Sequence, residues 1–162
     1  MISGKVWKFG NNVDTDQILP SQYLLLPNIE EMKQYTFEPL IKDFAVKVSA
    51  GDIVVGGDNF GAGSSREQAP AVLKALGISA VVAKSFARIF FRNAINIGLP
   101  VIVCQEVYER IENGDTLEVD VNKGSIKTPK DSKEYSSTKL PEHVMNILAA
   151  NGLIGYLNKK EK

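Results

Sequence analysis

Asp52-Ile53-Val54-Val55-Gly56-Gly57 is a β-branched run that stops at a glycine pair, the pattern of a buried strand entering a loop. Reading onward, Ala69, Val72, Leu73 and Leu76 recur at helical spacing, and Gly77 supplies the stop. Ala80-Val81-Val82-Ala83 predicts a second buried strand. Phe86, Ile89, Phe90, Ala94 and Ile97 predict a second helix ended by Gly98, and Pro100 to Cys104 a third strand. Strand and helix alternating at this spacing imply parallel crossover units, and hence an α/β fold.

Working outward, Val6-Trp7-Lys8-Phe9 predicts a first short strand, followed by a polar loop from Gly10 to Asp16. Pro20 to Leu26 and Ile29 to Phe37 carry short helical patterns, while Pro39 to Ser49 is ambiguous. After Gly114 the texture changes. Thr116 to Val121 alternates, Asn122-Lys123-Gly124 turns, and Ser125 to Thr128 pairs back as a β-hairpin. Pro141 to Asn151, closed by Gly152, predicts a C-terminal helix with Val144, Ile147 and Leu148 inward. With no linker, repeat or low-complexity tract, residues 1–162 are expected to form one domain with a mixed parallel and antiparallel sheet.

Composition narrows the function. Lys plus Arg and Asp plus Glu are 19 each, so neither nucleic acid nor an anionic membrane is an expected partner. No apolar run approaches the roughly 20 residues of a membrane span, and the N-terminus shows no export signal, which makes the cytoplasm the expected location. Lys159, Lys160 and Lys162 form a solvated tail. The single Cys104 is too little to hold an iron–sulfur cluster, and with His143 as the only histidine a His/Cys zinc site is not expected. No cofactor is expected on this chain. Cys104 is a small core filler, and Trp7, Phe86, Phe90 and Phe91 are core rather than a cofactor stack.

Chemistry concentrates in the loop after the strand at 52–55, which runs from Gly56 to Glu67 and contains Gly61-Ala62-Gly63-Ser64-Ser65-Arg66. Loops at the carboxyl ends of parallel strands hold ligands, and a helix N-terminus offers free N–H groups to an anion. Ser64-Ser65-Arg66-Glu67 also spells a capping box, in which Ser64 would merely cap the next helix. The segment lacks both the Gly-Lys-Ser/Thr ending of a phosphate loop and the third glycine of the dinucleotide fingerprint. Capping does not account for Arg66, whose guanidinium can fork onto a carboxylate. Nor does it account for a hydroxyl placed where an alkoxide would be stabilised as a base.

Asp58-Asn59-Phe60-Gly61-Ala62-Gly63-Ser64-Ser65-Arg66-Glu67 resembles the active-site signature of the aconitase swivelling-domain family, which includes isopropylmalate dehydratase small subunits. Asn12 to Pro20 and Lys84 to Asn93 resemble that family's preceding and following blocks, in family order, across about residues 5 to 103. The resemblance implies a swivelling β/β/α domain that is half of a hydro-lyase active site. The other half is a large subunit bearing a [4Fe–4S] cluster, and the substrate is a small hydroxy-diacid. By position Ser64 would be the base, Ser65 and Arg66 would bind a substrate carboxylate, and Asp16 would be the active-site aspartate.

Tyr23-Leu24-Leu25-Leu26 resembles a Tyr-Leu-Arg-Thr stretch of homoaconitase small subunits, with Leu25 in the arginine's place. An apolar substrate group is therefore expected beside Leu24, Leu25 or Leu26. That favours interconversion of 2- and 3-isopropylmalate in leucine biosynthesis over homoaconitase chemistry. Dimethylmalate- and citramalate-type substrates stay open, as does a homo-oligomer of the isolated chain. Arg88 and Arg92, four apart on one helix face, read equally as ordinary exposed charges, while their place in the block that resembles the family's implies structural pairing or a partner contact; His143 is a surface residue. Asp14 suits a turn.

Overall fold

The computed structural model describes residues 1–162. Its centre is a seven-stranded sheet of β1 (Ile2–Lys8), β2 (Ile53–Gly56), β3 (Ala80–Ala83), β4 (Val101–Val103), β5 (Thr116–Asp120), β6 (Ser125–Thr128) and β7 (Lys133–Ser136), ordered β4-β3-β2-β1-β5-β6-β7. β1 joins two kinds of sheet. Ile2 to Lys5 run antiparallel to β5, and Val6 to Lys8 run parallel to β2. β2, β3 and β4 continue the parallel half, β6 and β7 the antiparallel half.

Between β1 and β2 lie the short helices α1 (Thr15–Ile18), α2 (Ile29–Met32) and α3 (Phe44–Lys47), with a 3₁₀ turn over Ser21–Leu25. α4 (Gln68–Ala75) and α5 (Arg88–Asn96) make the crossovers to β3 and β4. α6 (Gln105–Tyr108) leads to β5, and α7 (Glu142–Ala149) and α8 (Leu153–Lys160) end the chain.

Strand periodicity sorts the core into two bodies. Trp7, Val54, Val81 and Val101 face α4 and α5, joining Val72, Leu73, Phe90 and Ala94 with the aromatic set Phe9, Phe37 and Phe44. Val6, Ile53, Val55, Val82 and Ile102 face the other way, where Leu117, Val119, Ile126 and Tyr135 of the antiparallel half cover them. Both faces of the parallel strands are thus buried, which is why they read as unbroken apolar runs. The expected packing of Val144, Ile147 and Leu148 against the core is present.

The structure adds elements that sequence periodicity does not single out. β1 starts at Ile2 because β5 supplies a distant antiparallel partner, with Ile2 opposite Val119. β7 extends the hairpin to three strands, and its one buried side chain, Tyr135, gives too short a signal to read. The lysine tail is solvated as expected, with Lys159 and Lys160 forming the exposed end of an additional helix, α8, and Lys162 exposed beyond it.

One polar contact ties the strand roots together. The Trp7 indole N–H and the Ser49 amide both donate to the Asp52 carboxylate, at 2.8 and 2.9 Å, and Asp52 is buried. Asp52→Ala strands two donors and is expected to cost about 2–4 kcal/mol. Urea unfolding followed by the emission of Trp7, the only tryptophan, measures this. A loss below about 0.5 kcal/mol, the range of an ordinary surface change, would mean that solvent replaces the carboxylate without penalty.

Candidate functional site

Beyond the carboxyl ends of β1, β2 and β3 the chain leaves the sheet without losing its pairing. Gly57 N–H donates to the Gly10 carbonyl at 3.0 Å, Asn12 N–H to Asp58 at 2.8 Å, and Gly61 N–H to Val13 at 2.7 Å. Thr15 N–H reaches the Ala62 carbonyl at 2.8 Å, completing an isolated parallel bridge between Asp14 and Ala62. On the other flank Phe60 bridges Phe86, donating to the Ser85 carbonyl and accepting from Ala87. The segments 12–20, 58–67 and 84–93 are thereby stitched into one surface.

Side chains brace the seam. Asn11 accepts from the Asp58 amide at 2.7 Å, and the Ser85 hydroxyl accepts from the Asn59 amide at 2.8 Å. Buried Phe60 packs edge-on against Phe86 and Phe90 beneath the loop. Gly61 is required there. Its φ is +85°, and a Cβ would lie 2.2 Å from Phe90 Cγ.

The capping box spelled by Ser64 to Glu67 does not form. α4 starts at Gln68 with Glu67 before it, and no side chain caps it. Ser64 sits four residues upstream, exposed, its Oγ 3.2 Å from the hydroxyl of Thr15. Thr15 itself is buried. A capping box is formed instead at α1, where Asp14 accepts from the Gln17 amide at 2.8 Å and Gln17 Oε1 accepts from the Asp14 amide at 3.1 Å. Asp14 therefore shapes the backbone, as a turn residue would.

Arg66 and Asp16 meet. Arg66 Nη1 donates to Asp16 Oδ1 and to the Leu19 carbonyl, both at 2.8 Å. The arginine side chain is only 11% exposed, the Asp16 side chain 69%. Nη1 carries all of these bonds, so the rest of the guanidinium fork is uncommitted. Ser65 is exposed, and its carbonyl accepts from Asn93 Nδ2 of α5 at 3.3 Å. Ser64, Ser65, Arg66 and Asp16 thus lie on one seam. Thr15 and Asn93 join them through contacts spanning 49 and 28 residues, distances at which no spacing rule operates.

The three leucines separate. Leu24 and Leu26 pack against the core, whereas Leu25 is 91% exposed. Their turn is pinned by Tyr23, stacked on Tyr35 at 3.9 Å and donating its hydroxyl to Glu38 at 2.9 Å. That bond holds the Tyr23 pKa above the ordinary tyrosine value. No group of three or more His, Cys, Asp or Glu side chains is placed to hold a metal ion. Cys104 is buried, and burial pushes its thiol pKa up, so it is not poised as a thiolate ligand. No helix is long and apolar enough to cross a membrane.

Residues 17–106 match the model of the aconitase C-terminal domain. The chain is 54% identical over 160 residues to the isopropylmalate/citramalate isomerase small subunit of Methanocaldococcus jannaschii, covering 99% of this chain and 95% of that one. It is 52% identical to the 3-isopropylmalate dehydratase small subunit of Halothermothrix orenii, covering 94% and 93%. A crystal structure of 3-isopropylmalate dehydratase from M. jannaschii superposes with a TM-score of 0.94 at 43% identity, over 99% of this chain and 95% of that one.

Proposed function

The chain belongs to the aconitase C-terminal-domain family, and from that premise we propose that it is the small subunit of a cytoplasmic hydro-lyase interconverting 2- and 3-isopropylmalate for leucine biosynthesis. The observation that carries this proposal is the seam joining Ser64, Arg66 and Asp16 across about 50 residues of sequence. Relatives of nearly the same length bear the name of that small subunit. One of them is named for citramalate as well, which favours a second reading in which the substrate carries a smaller alkyl group.

An [Fe–S] cluster does not fit this chain, whose one thiol is buried and whose other candidate ligands are dispersed. In the proposed complex the [4Fe–4S] cluster and its ligands belong to the large subunit. This chain supplies a base and a carboxylate clamp. As its alkoxide, exposed Ser64 accepts a proton from the carbon beside a substrate carboxylate while the C–O bond on the neighbouring carbon breaks and the hydroxyl leaves toward the large subunit's half of the site, giving an alkene diacid. Rehydration reverses the step and returns the proton from Ser64 to carbon. The buried Thr15 hydroxyl lies 3.2 Å from Ser64 Oγ, and by turning its proton toward that oxygen it would stabilise the alkoxide form of the base. Arg66 is held at Nη1, so its remaining N–H groups meet a carboxylate with little rearrangement, with Ser65 beside it. Asp16 orients that guanidinium. Leu25 offers an apolar contact to the alkyl group, from a turn that Leu24 and Leu26 root in the core.

The decisive experiment is co-expression with the large subunit encoded in the same genome, followed by assay against isopropylmalate, citramalate and homocitrate-type substrates. Failure to assemble, or turnover by this chain alone, would overturn the heteromeric assignment. Within the active complex, Ser64→Ala should lower kcat by about 10²–10⁴, the range of a general base, with KM little changed. Because Ser64 caps no helix, the melting midpoint should stay where it is. Near-normal kcat would remove Ser64 from the chemistry.

Leu25→Arg should shift preference from isopropylmalate toward the tricarboxylate, because it supplies a cation for a carboxylate that is otherwise desolvated alone. Unaltered selectivity would show that this turn does not face the variable group.

A further inference from the structure

An open groove of about 340 Å³ runs between α5 and α7. Its floor is apolar, formed by Phe91, Ile95 and Ile147, and its rim carries Arg88, Arg92 and His143 with no Asp or Glu among the lining residues. Arg88 and Arg92 are exposed, and neither makes an ion pair within the chain. Ile89, in the same first turn of α5, is 45% exposed. Two guanidinia without carboxylate partners thus flank an apolar strip in which Phe91 and Ile147 are half-buried and Ile95 is buried.

We infer that this groove receives the large subunit, through a segment that presents acidic side chains to Arg88 and Arg92 and an apolar side chain to the floor. The inference rests on the heteromeric reading above and says which surface it uses. Position supports it. α5 also carries Asn93, which holds the Ser65 carbonyl, so the groove borders the catalytic loop. A partner that completes the site over Ser64 therefore comes down beside α5. Charge complementarity sets the occupant: Arg88 and Arg92 are the charged side chains of the lining, so the matching surface is acidic. A free small anion is the weaker occupant. Pairing with exposed guanidinia in water yields little on its own, whereas an acidic side chain carried by a large interface arrives already oriented.

The test is titration of the large subunit against the wild-type chain and against Arg88→Glu/Arg92→Glu, reading Kd by activity recovery and by a direct binding assay. The expected result is a rise in Kd of at least about tenfold, the consequence of like charges meeting across an interface. At saturation kcat should be retained. Lys159→Glu/Lys160→Glu, an equal charge reversal on exposed α8 residues, should leave Kd unchanged. Arg88→Ala/Arg92→Ala, checked by thermal melting, serves if the double reversal does not fold, and should raise Kd less. An unchanged Kd in folded variants overturns the docking surface and leaves the proposed activity standing. If wild-type chain binds no large subunit, the activity reading fails and this surface with it. If Kd is unchanged but inhibition by malate-type dianions alters, the groove is a small-anion site and the docking proposal is overturned.

Discussion

Two backbone hydrogen bonds, from Gly61 N–H to the Val13 carbonyl and from Thr15 N–H to the Ala62 carbonyl, set the geometry of the candidate site. They lie outside the sheet, where loops normally turn to water for their pairing. They fix the distance between the strand-end loops, and every functional contact inherits that distance. Thr15 meets Ser64 and Asp16 meets Arg66 only because residues 13–15 and 61–62 run side by side. Gly61 at φ +85° and Gly63 at φ +102° let the chain follow that path, and Phe60, wedged between Phe86 and Phe90, keeps it from lifting away.

The same seam places charge. A guanidinium only 11% exposed has given up most of its water, and Asp16 with the Leu19 carbonyl compensates. Both acceptors sit on Nη1, so the compensation does not consume the fork. A wholly solvated arginine would have to be ordered on binding, at an entropic cost, whereas here that ordering is part of folding. Ser64 has the opposite setting. It is exposed, and only its neighbour Thr15 is desolvated. That arrangement keeps the hydroxyl reachable from outside the chain, as the proposed shared site requires.

How far the sequence reveals this depends on the range of each interaction. The parallel strands at 53–56, 80–83 and 101–103 and the helices between them are legible because burial on both strand faces writes an unbroken apolar run and burial on one helix face a local period. The Leu24 to Leu26 run is legible as apolar, but only tertiary packing distinguishes the two rooted leucines from exposed Leu25. The capping box at Ser64 to Glu67 is a local pattern that the fold does not use. The loop's amides and carbonyls are claimed by Val13, Thr15 and Asn93, so the helix starts later, at Gln68, and leaves the serine free. β7 and α6 are too short to carry a period. The Thr15–Ser64 contact is a product of topology alone.

In the proposed site, substrate range would follow from what one exposed leucine can and cannot do. An alkyl group that covers part of Leu25 gains about 25 cal/mol for each Å² removed from water, so an isopropyl group is favoured over a methyl group by the area of its extra carbons. Each methylene in an apolar pocket is worth only about 1–3 kcal/mol of discrimination. A single apolar contact on an open turn lies at the low end of that range, because much of the side chain stays wet. A carboxylate in the same place meets no cation on this turn, so whatever water it gives up when the proposed complex closes over it goes unreplaced, at a cost that grows with its desolvation. The proposed site is therefore strict about charge and lenient about alkyl size. A relative 54% identical to this chain carries both isopropylmalate and citramalate in its name, and leniency of that kind needs no second pocket.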